Sequence, residues 1–487
     1  MISFSNTDIA VIVAFMVIIV SVGFIAGKGE KKSSDDFLLS GRKVGLFLFI
    51  LTNVATWYGG ILGVGEFSYR YGLVSWLTQG LPYYIFAIIF AFTFADKIRE
   101  ASLITIPDKL QKVYGKKVAL ASSLLIFILV SPAPYLLMLA QIIALVFNIS
   151  MFNSLLIAVI VSTAYLFKGG YTSNIWADAF SFFVMFAGFI IIVFVAVNNY
   201  GGIEFLENNL PATHLSLTGG TSVTFIVVWF LIALWTFTDP GFHQRCYSAK
   251  NGNVAKWGIV ISVFFWMFFD FLTNTTGIFS RAILPDLKNP VMAFPLLAEK
   301  ILSSGLKGIF FAALIATILS TLNSFMFLSA ATFSKDFISK IFSNEVNMLK
   351  EQELFHVKKT LRFAPNEDSQ IILYTRVGII FTAFSSFFIA YSFTSIVDMW
   401  YTIGSICIPG LIILVVSSYY TKFKIDNNIA YLEIILSVIG SVFWLTVRKH
   451  FSGVEIIKYV EPMIFGLVIA MVIHLVGLKI KKLKIIE

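Results

Sequence analysis

The chain has 487 residues, of which 58% are apolar and 13% charged, and its mean hydropathy is +0.87. A soluble domain carries about a quarter charged residues, so this composition excludes a water-soluble enzyme and implies a polytopic membrane protein. The net charge of +9 is spread over short loops between apolar runs, which excludes a nucleic-acid-binding face and matches the positive bias of cytoplasmic membrane loops.

The first apolar run, Ile9 to Ala26, is preceded by Asp8 and by no Lys or Arg, and it ends without a small-residue cleavage pattern. It reads as a spanning helix and not as a secretory signal. Lys28, Lys31, Lys32, Arg42 and Lys43 follow it, which places the N-terminus outside. Windows of about 20 apolar residues predict thirteen spans, at 9–26, 44–69, 73–95, 118–147, 153–168, 176–198, 221–245, 257–279, 306–333, 372–393, 395–420, 427–447 and 459–479. Thirteen crossings put the C-terminus in the cytoplasm, where Lys479, Lys481, Lys482 and Lys484 lie, and put most of the 36 Lys and Arg inside. The outside loop 199–220 is acidic and glycine-rich. The inside loop 334–371 reads as a solvated, partly helical connector. Cys246 and Cys407 form no CxxC pair and the five histidines are scattered, so neither a disulfide framework nor a metal centre is expected.

Spans two to six and seven to eleven hold five helices each. An odd number per half inverts the second half against the first. The domain plan is therefore a first helix with its loop (1–43), a first repeat (44–198), the outer loop (199–220), an inverted second repeat (221–420) and two C-terminal helices with a tail (421–487). This all-α plan is the inverted-repeat architecture of the leucine-transporter type.

Each repeat opens on an interrupted apolar segment. The first carries Gly59, Gly60, Gly63 and Gly65; the second carries Pro240 and Gly241 within Thr236-Phe237-Thr238-Asp239-Pro240-Gly241. Backbone groups freed inside a bilayer are tolerated only where they line a cavity or find a partner. Paired interruptions at corresponding places in two halves predict an ion and substrate site near the midplane of a secondary transporter.

In span nine, Thr317, Ser320, Thr321 and Ser324 fall on one helix face. Two readings stand from spacing alone. The hydroxyls are hard oxygen ligands for sodium, or they back-bond to the preceding turn and join helices. Before Gly59, the carbonyls of Ala55 and Tyr58 lose helical partners and can turn toward a cation; a plain packing kink is the alternative. Asp178, at the start of span six, is either a carboxylate on an ion pathway or an interfacial residue at a helix N-terminus. Asp270 lies inside span eight, and no neighbour in sequence names its partner. Trp57, Gln79, Tyr135 and Trp235 sit at or near the broken segments. Aromatics with an amide suit a small-molecule pocket, while in a chain that is 16% aromatic any single one more often belongs to a core or a lipid-facing belt.

Taken together these residues resemble the sodium:solute symporter family. Asp36-Phe37-Leu38-Leu39-Ser40-Gly41-Arg42 is similar to the family's motif after its first helix. The stretch from Ile104 to Gly115 resembles its second cytoplasmic loop. Gly169-Gly170 with Trp176-Ala177-Asp178, the stretch Gln244 to Lys250, and Gly277 to Pro285 with span nine complete the set, over about residues 1–420. The resemblance implies a sodium symporter working by alternating access. It implies sodium, the co-transported ion, on the carbonyls of Ala55, Tyr58 and Thr317 and the hydroxyls of Ser320 and Thr321. Asp178 matches the acidic residue near the family's ion release path. Some members place a second sodium with positions matching Asn323 and Ser324, where this chain has an amide in place of one hydroxyl. Gln79 matches a polar substrate contact of the sugar and sialic acid members, and Trp235 falls near an aromatic gate. Ile61 and Leu62 stand where the galactose transporter is polar, and Trp57 stands where proline transporters have Asp. Neither substrate carries over directly, and an apolar, aromatic pocket favours a small organic acid or amino acid over a polyol.

The expected protein is a carrier in the cell (inner) membrane that functions as a monomer in the lipid bilayer. It takes up sodium with an amino acid, monocarboxylate or sugar. Two alternatives share the fold. A proton-coupled carrier usually sets a Lys or carboxylate at the cation site, and a membrane sensor needs an output domain beyond the last span, which is not expected here.

Overall fold

Apolar runs of this length satisfy their backbone inside a bilayer as helices, and helices are what the computed structural model contains. It describes residues 2–29, 33–338, 367–392, 396–450 and 460–486. In chain order the principal helices, leaving aside several short ones of five to nine residues such as Ile106–Tyr114, are α1 (Asn6–Ala26), α2 (Leu46–Ala55), α3 (Ile61–Tyr71), α4 (Leu81–Phe90), α5 (Lys116–Leu129), α6 (Ala133–Phe147), α7 (Met151–Thr163) and α8 (Leu166–Tyr200). They continue as α9 (Val223–Ile232), α10 (Pro240–Ser248), α11 (Gly252–Ile283), α12 (Leu306–Ala331), α13 (Glu367–Ser392), α14 (Ile396–Ser418), α15 (Asn427–His450) and α16 (Pro462–Ile486). Among the described residues, ten helices are long and apolar enough to cross a membrane. The other three predicted windows hold split or shorter helices, at 44–69, 153–168 and 395–420. Of the loop expected at 334–371, residues 339–366 lie outside the described residues.

Three details differ from the sequence reading. The window 118–147 is two helices, because Pro132 stands at the N-cap of α6 and Pro134 in its first turn, where proline fits and cannot continue α5. Asp178 is not at the start of a span. The helix that carries it begins at Leu166 and kinks at Gly170, where φ is 56°, so Asp178 lies well inside and fully buried. Not all the expected breaking residues break. Gly63 and Gly65 sit in regular turns of α3, and a Cβ at Gly65 would come within 3.0 Å of the Phe294 ring, so that glycine serves close packing. Gly241 likewise lies in the first turn of α10, after Pro240 at its start.

The helices are arranged around α12. Of its most apolar stretch 94% is buried, against 22% for α1, which makes α12 the central column and α1 a peripheral one. It packs along α8 and against α1, α13 and α6, while α2 and α3 lean on α11. The gap between α2 and α3 is thereby set beside the polar face of α12. At one end of the bundle, the lead-in to α2 meets the exit of α10. There Val44 N–H donates to Ser248 C=O at 3.1 Å and Lys250 N–H to Val44 C=O at 2.9 Å. Arg99 donates to the Ala249 carbonyl at 2.5 Å and Arg42 to the Leu103 carbonyl at 3.1 Å. At the other end Leu73 N–H donates to His214 C=O at 2.9 Å. The Tyr69 hydroxyl donates to Leu284 C=O at 2.6 Å, and the His214 ring lies 3.1 Å from the Tyr69 carbonyl. Burial holds the His214 imidazole below the ordinary histidine pKa.

Candidate functional site

α2 ends at Ala55 and α3 begins at Ile61, with Thr56 to Gly60 between them. Among the described residues no backbone amide donates to the carbonyls of Ala55 or Tyr58. Gly59 is what lets the break touch α12, because a Cβ there would lie 2.3 Å from the Thr321 Cβ. The Thr321 hydroxyl donates to the Thr56 carbonyl at 2.8 Å, supplying one of the partners that the broken backbone lost.

One turn away, Asp178 of α8 accepts from three side chains. Ser320 donates to its Oδ1 at 2.7 Å, Thr52 to its Oδ2 at 2.6 Å and Asn174 to the same oxygen at 3.2 Å. Asn174 also donates to Ser324 at 2.8 Å, Asn323 donates to the Tyr165 hydroxyl, and Arg245 of α10 reaches the Thr56 hydroxyl. Hydrogen bonds thus join Asp178, Ser320 and Ser324 with Thr52 and Asn174 in one buried polar column between α2, α8 and α12, and Thr321 reaches the break beside it at Thr56, the residue after Ala55. Thr317 stands one turn before Ser320 and Thr321 on α12; its hydroxyl back-bonds to the Ala313 carbonyl at 2.6 Å, and the group expected to face a cation is its own carbonyl. Sequence reasoning missed Thr52, Tyr165, Asn174 and Arg245. Asn174 had a signal, standing one helical turn before Asp178; the others come from distant segments.

The residues expected to line a substrate pocket separate into different surroundings. Trp57 packs on Trp266 at 4.8 Å between ring centroids, and edge-on to Tyr83 and Phe242 at 5.3 Å each. Gln79 lies in the turn Trp76–Gly80 just before α4, and its side-chain nitrogen is buried without a partner. Tyr135 packs against Phe325 at 5.1 Å. Trp235 donates to Asp239 at 2.8 Å. Close to Trp57, the buried Asp270 of α11 accepts from the Tyr84 hydroxyl, and the Tyr58 hydroxyl donates to the Trp266 carbonyl at 2.9 Å.

The second break, between α9 and α10, is closed by its own side chains. Asp239 caps α10 by accepting from Phe242 N–H at 2.8 Å. Thr236 and Thr238 donate to the carbonyls of Ala233 and Trp235 at 2.9 and 3.1 Å. The His243 ring lies 3.1 Å from the Phe237 carbonyl. Among the described residues no group of three His, Cys, Asp or Glu side chains could hold a metal ion, and the oxygens at the first break are hydroxyls, carbonyls and the Asp178 carboxylate.

A family model, "Sodium:solute symporter family", matches residues 37–364, two thirds of the chain. The chain belongs to this family. Among its relatives, the sodium/glucose cotransporter of Vibrio parahaemolyticus is 27% identical over 392 residues, covering 70% of each protein. Sodium/glucose cotransporter 1 of Oryctolagus cuniculus is 24% identical over 392 residues, covering 69% of this chain; the chain spans only 58% of that protein's length. A solved Na+-coupled sialic acid symporter, in a substrate-bound outward-open state, superposes with a TM-score of 0.79 at 15% identity, covering 99% of this chain and 98% of that one. At that identity the likeness shows the fold. Membership in this family and ten helices of membrane-crossing length among the described residues agree with a multi-span membrane protein.

Proposed function

We propose that the protein couples inward sodium movement to uptake of a small organic solute by alternating access. The observation that carries this reading is the contact of the first helix break with the hydroxyl face of α12. The carbonyls of Ala55, Tyr58 and Thr317 and the hydroxyls of Ser320 and Thr321 hold one sodium ion. Ser320 and Thr321 direct their protons to Asp178 and Thr56, which leaves lone pairs for a cation, because a hydroxyl that donates can still accept. Asp178 orients Ser320 and marks the release path, with Asn323 and Ser324 beside it. The ion ties the repeat of residues 44–198 to that of 221–420, completing the solute pocket near Trp57. Rocking of one repeat against the other then exposes both ligands to the cytoplasm.

The excess of Lys and Arg in alternate loops supports an outside N-terminus and a cytoplasmic C-terminus. A potential of 100 mV contributes about 2.3 kcal/mol per sodium charge. That supports roughly a fifty-fold gradient of neutral solute, and the solute is of amino acid, monocarboxylate or sugar size. The test is thermal melting of the purified chain in sodium chloride against potassium chloride, since a ligand of the native state raises the melting point by mass action. Sodium raises it for the unaltered chain, and Ser320→Ala with Thr321→Ala removes the rise. A sodium response that survives both changes rules the site out.

A further inference from the structure

Asp270 is buried in α11, and among the described residues no Lys, Arg or His stands near it. Its neighbours are the Tyr84 hydroxyl, which donates to Oδ2, and the Tyr58 hydroxyl. Gly80 is held open by the carboxylate, for a Cβ there would lie 2.9 Å from Asp270 Oδ2 and 2.8 Å from the Tyr84 hydroxyl. Three short sequence steps join this group to the rings around Trp57. Trp57 and Tyr58 are consecutive on the break, Tyr83 and Tyr84 are consecutive on α4, and Trp266 and Asp270 are one turn apart on α11. Each pair sends one residue to the ring cluster and the other to the carboxylate. Trp266 is wholly buried, and among the described residues neither its indole nitrogen nor the Gln79 amide nitrogen in the turn before α4 has a partner.

A buried carboxylate without a cation in the protein calls for a cation from outside it. Sodium suits the place less well than the first break, because hard cations gather oxygen ligands and here one carboxylate and two phenols face aromatic walls, against the five oxygens assigned to sodium there. Aromatic faces next to a carboxylate suit an organic ammonium, which the ring quadrupole attracts within about 6 Å of the centroid. Resting on the symport reading above, we infer that Asp270, with Tyr83, Phe242 and Trp266, the rings that now surround Trp57, binds the ammonium group of the transported solute. Trp57 stacks on Trp266 at 4.8 Å, too close to admit a ligand between them, so the solute takes the place of the Trp57 ring. Trp57 immediately precedes Tyr58, whose carbonyl is assigned to sodium, so the ring that yields to the solute and the backbone that holds the ion are consecutive on the break. That adjacency is the physical link between the two ligands.

The test is melting and equilibrium binding of the full chain in sodium and in potassium. Choline, ethanolamine and L-proline serve as ammonium-bearing probes. The neutral isostere of choline, 3,3-dimethylbutan-1-ol, with glucose and pyruvate, serves as the set without one. At least one ammonium probe binds, in sodium, more than tenfold tighter than 3,3-dimethylbutan-1-ol, glucose or pyruvate. Asp270→Asn lowers its affinity at least tenfold and leaves the sodium response in place; the unaltered chain alone decides the probe comparison should that variant fail to fold. A neutral or anionic probe binding best overturns the inference, as does silence from every ammonium probe while sodium still responds, or full affinity in Asp270→Asn. Failure of the sodium response itself is a different result and overturns the symport reading instead.

Discussion

The two broken helices solve the same problem in opposite ways. Between α9 and α10 the chain caps itself, with Asp239, Thr236, Thr238 and His243 closing the loose ends within eleven residues of sequence. Between α2 and α3 the carbonyls of Ala55 and Tyr58 accept from no backbone amide among the described residues, and the Thr56 carbonyl relies on Thr321 of α12. A break that satisfies itself is a structural joint. One that depends on a helix more than 250 residues away leaves acceptors free for an ion and couples two parts of the fold.

Four substitutions test that contrast, in falling order of effect. Gly59→Ala forces a methyl into the Thr321 side chain. Overpacking of this kind costs about 1–3 kcal/mol and sometimes more, so the melting point falls and the sodium response is lost. A variant that melts and binds like the parent shows that the two helices do not need this approach. Asp178→Asn turns one acceptor of the Ser320, Thr52 and Asn174 cluster into a donor, leaving a buried group unpaired at a cost of about 1–3 kcal/mol. Calorimetric sodium titration is expected to show weaker binding, and an unaltered isotherm would separate Asp178 from the ion. Asp239→Ala removes a self-contained cap, worth about 1 kcal/mol; stability drops while sodium affinity holds. If sodium affinity falls with it, the second break is no mere joint. His214→Gln has the smallest effect. The native His214 pKa is depressed by burial, so its contribution is complete above the unfolded value of about 6.5 and is lost as the pH falls from there through the native value. Melting curves between neutral and mildly acid pH should flatten in the variant, and identical pH dependence would remove His214 from the account.

Much of this was legible in the sequence because its signals are local. Gly59-Gly60 and Asp239-Pro240 announce breaks by their own backbone chemistry, and the hydroxyl face of α12 follows from helical periodicity. Gly63 and Gly65 were misread as breaks because a packing glycine and a breaking glycine look alike until the opposing ring, here Phe294, is known. Asp178 was legible as a residue but not as a site. Its donors Thr52 and Ser320 lie 126 and 142 positions away, and no periodicity spans that distance. Asp270 was likewise legible as a carboxylate inside a span but not by its partner, since Tyr84 is 186 positions away. Trp235 and Tyr135 were placed by aromatic composition, and the fold gives them neighbours other than Trp57.

The paired bonds between Val44 and the Ser248–Lys250 segment have a further consequence for how such proteins diverge. They are made by main-chain groups, so almost any side chain at Val44, Ser248 or Ala249 preserves them. A fastening of that sort leaves no mark in an alignment and can persist while identity drifts to the 24–27% that separates this chain from the relatives above. Proline at Val44 is the exception, because it lacks the amide hydrogen that reaches Ser248. At those three positions the side chain can change while the geometry of the fastening stays put.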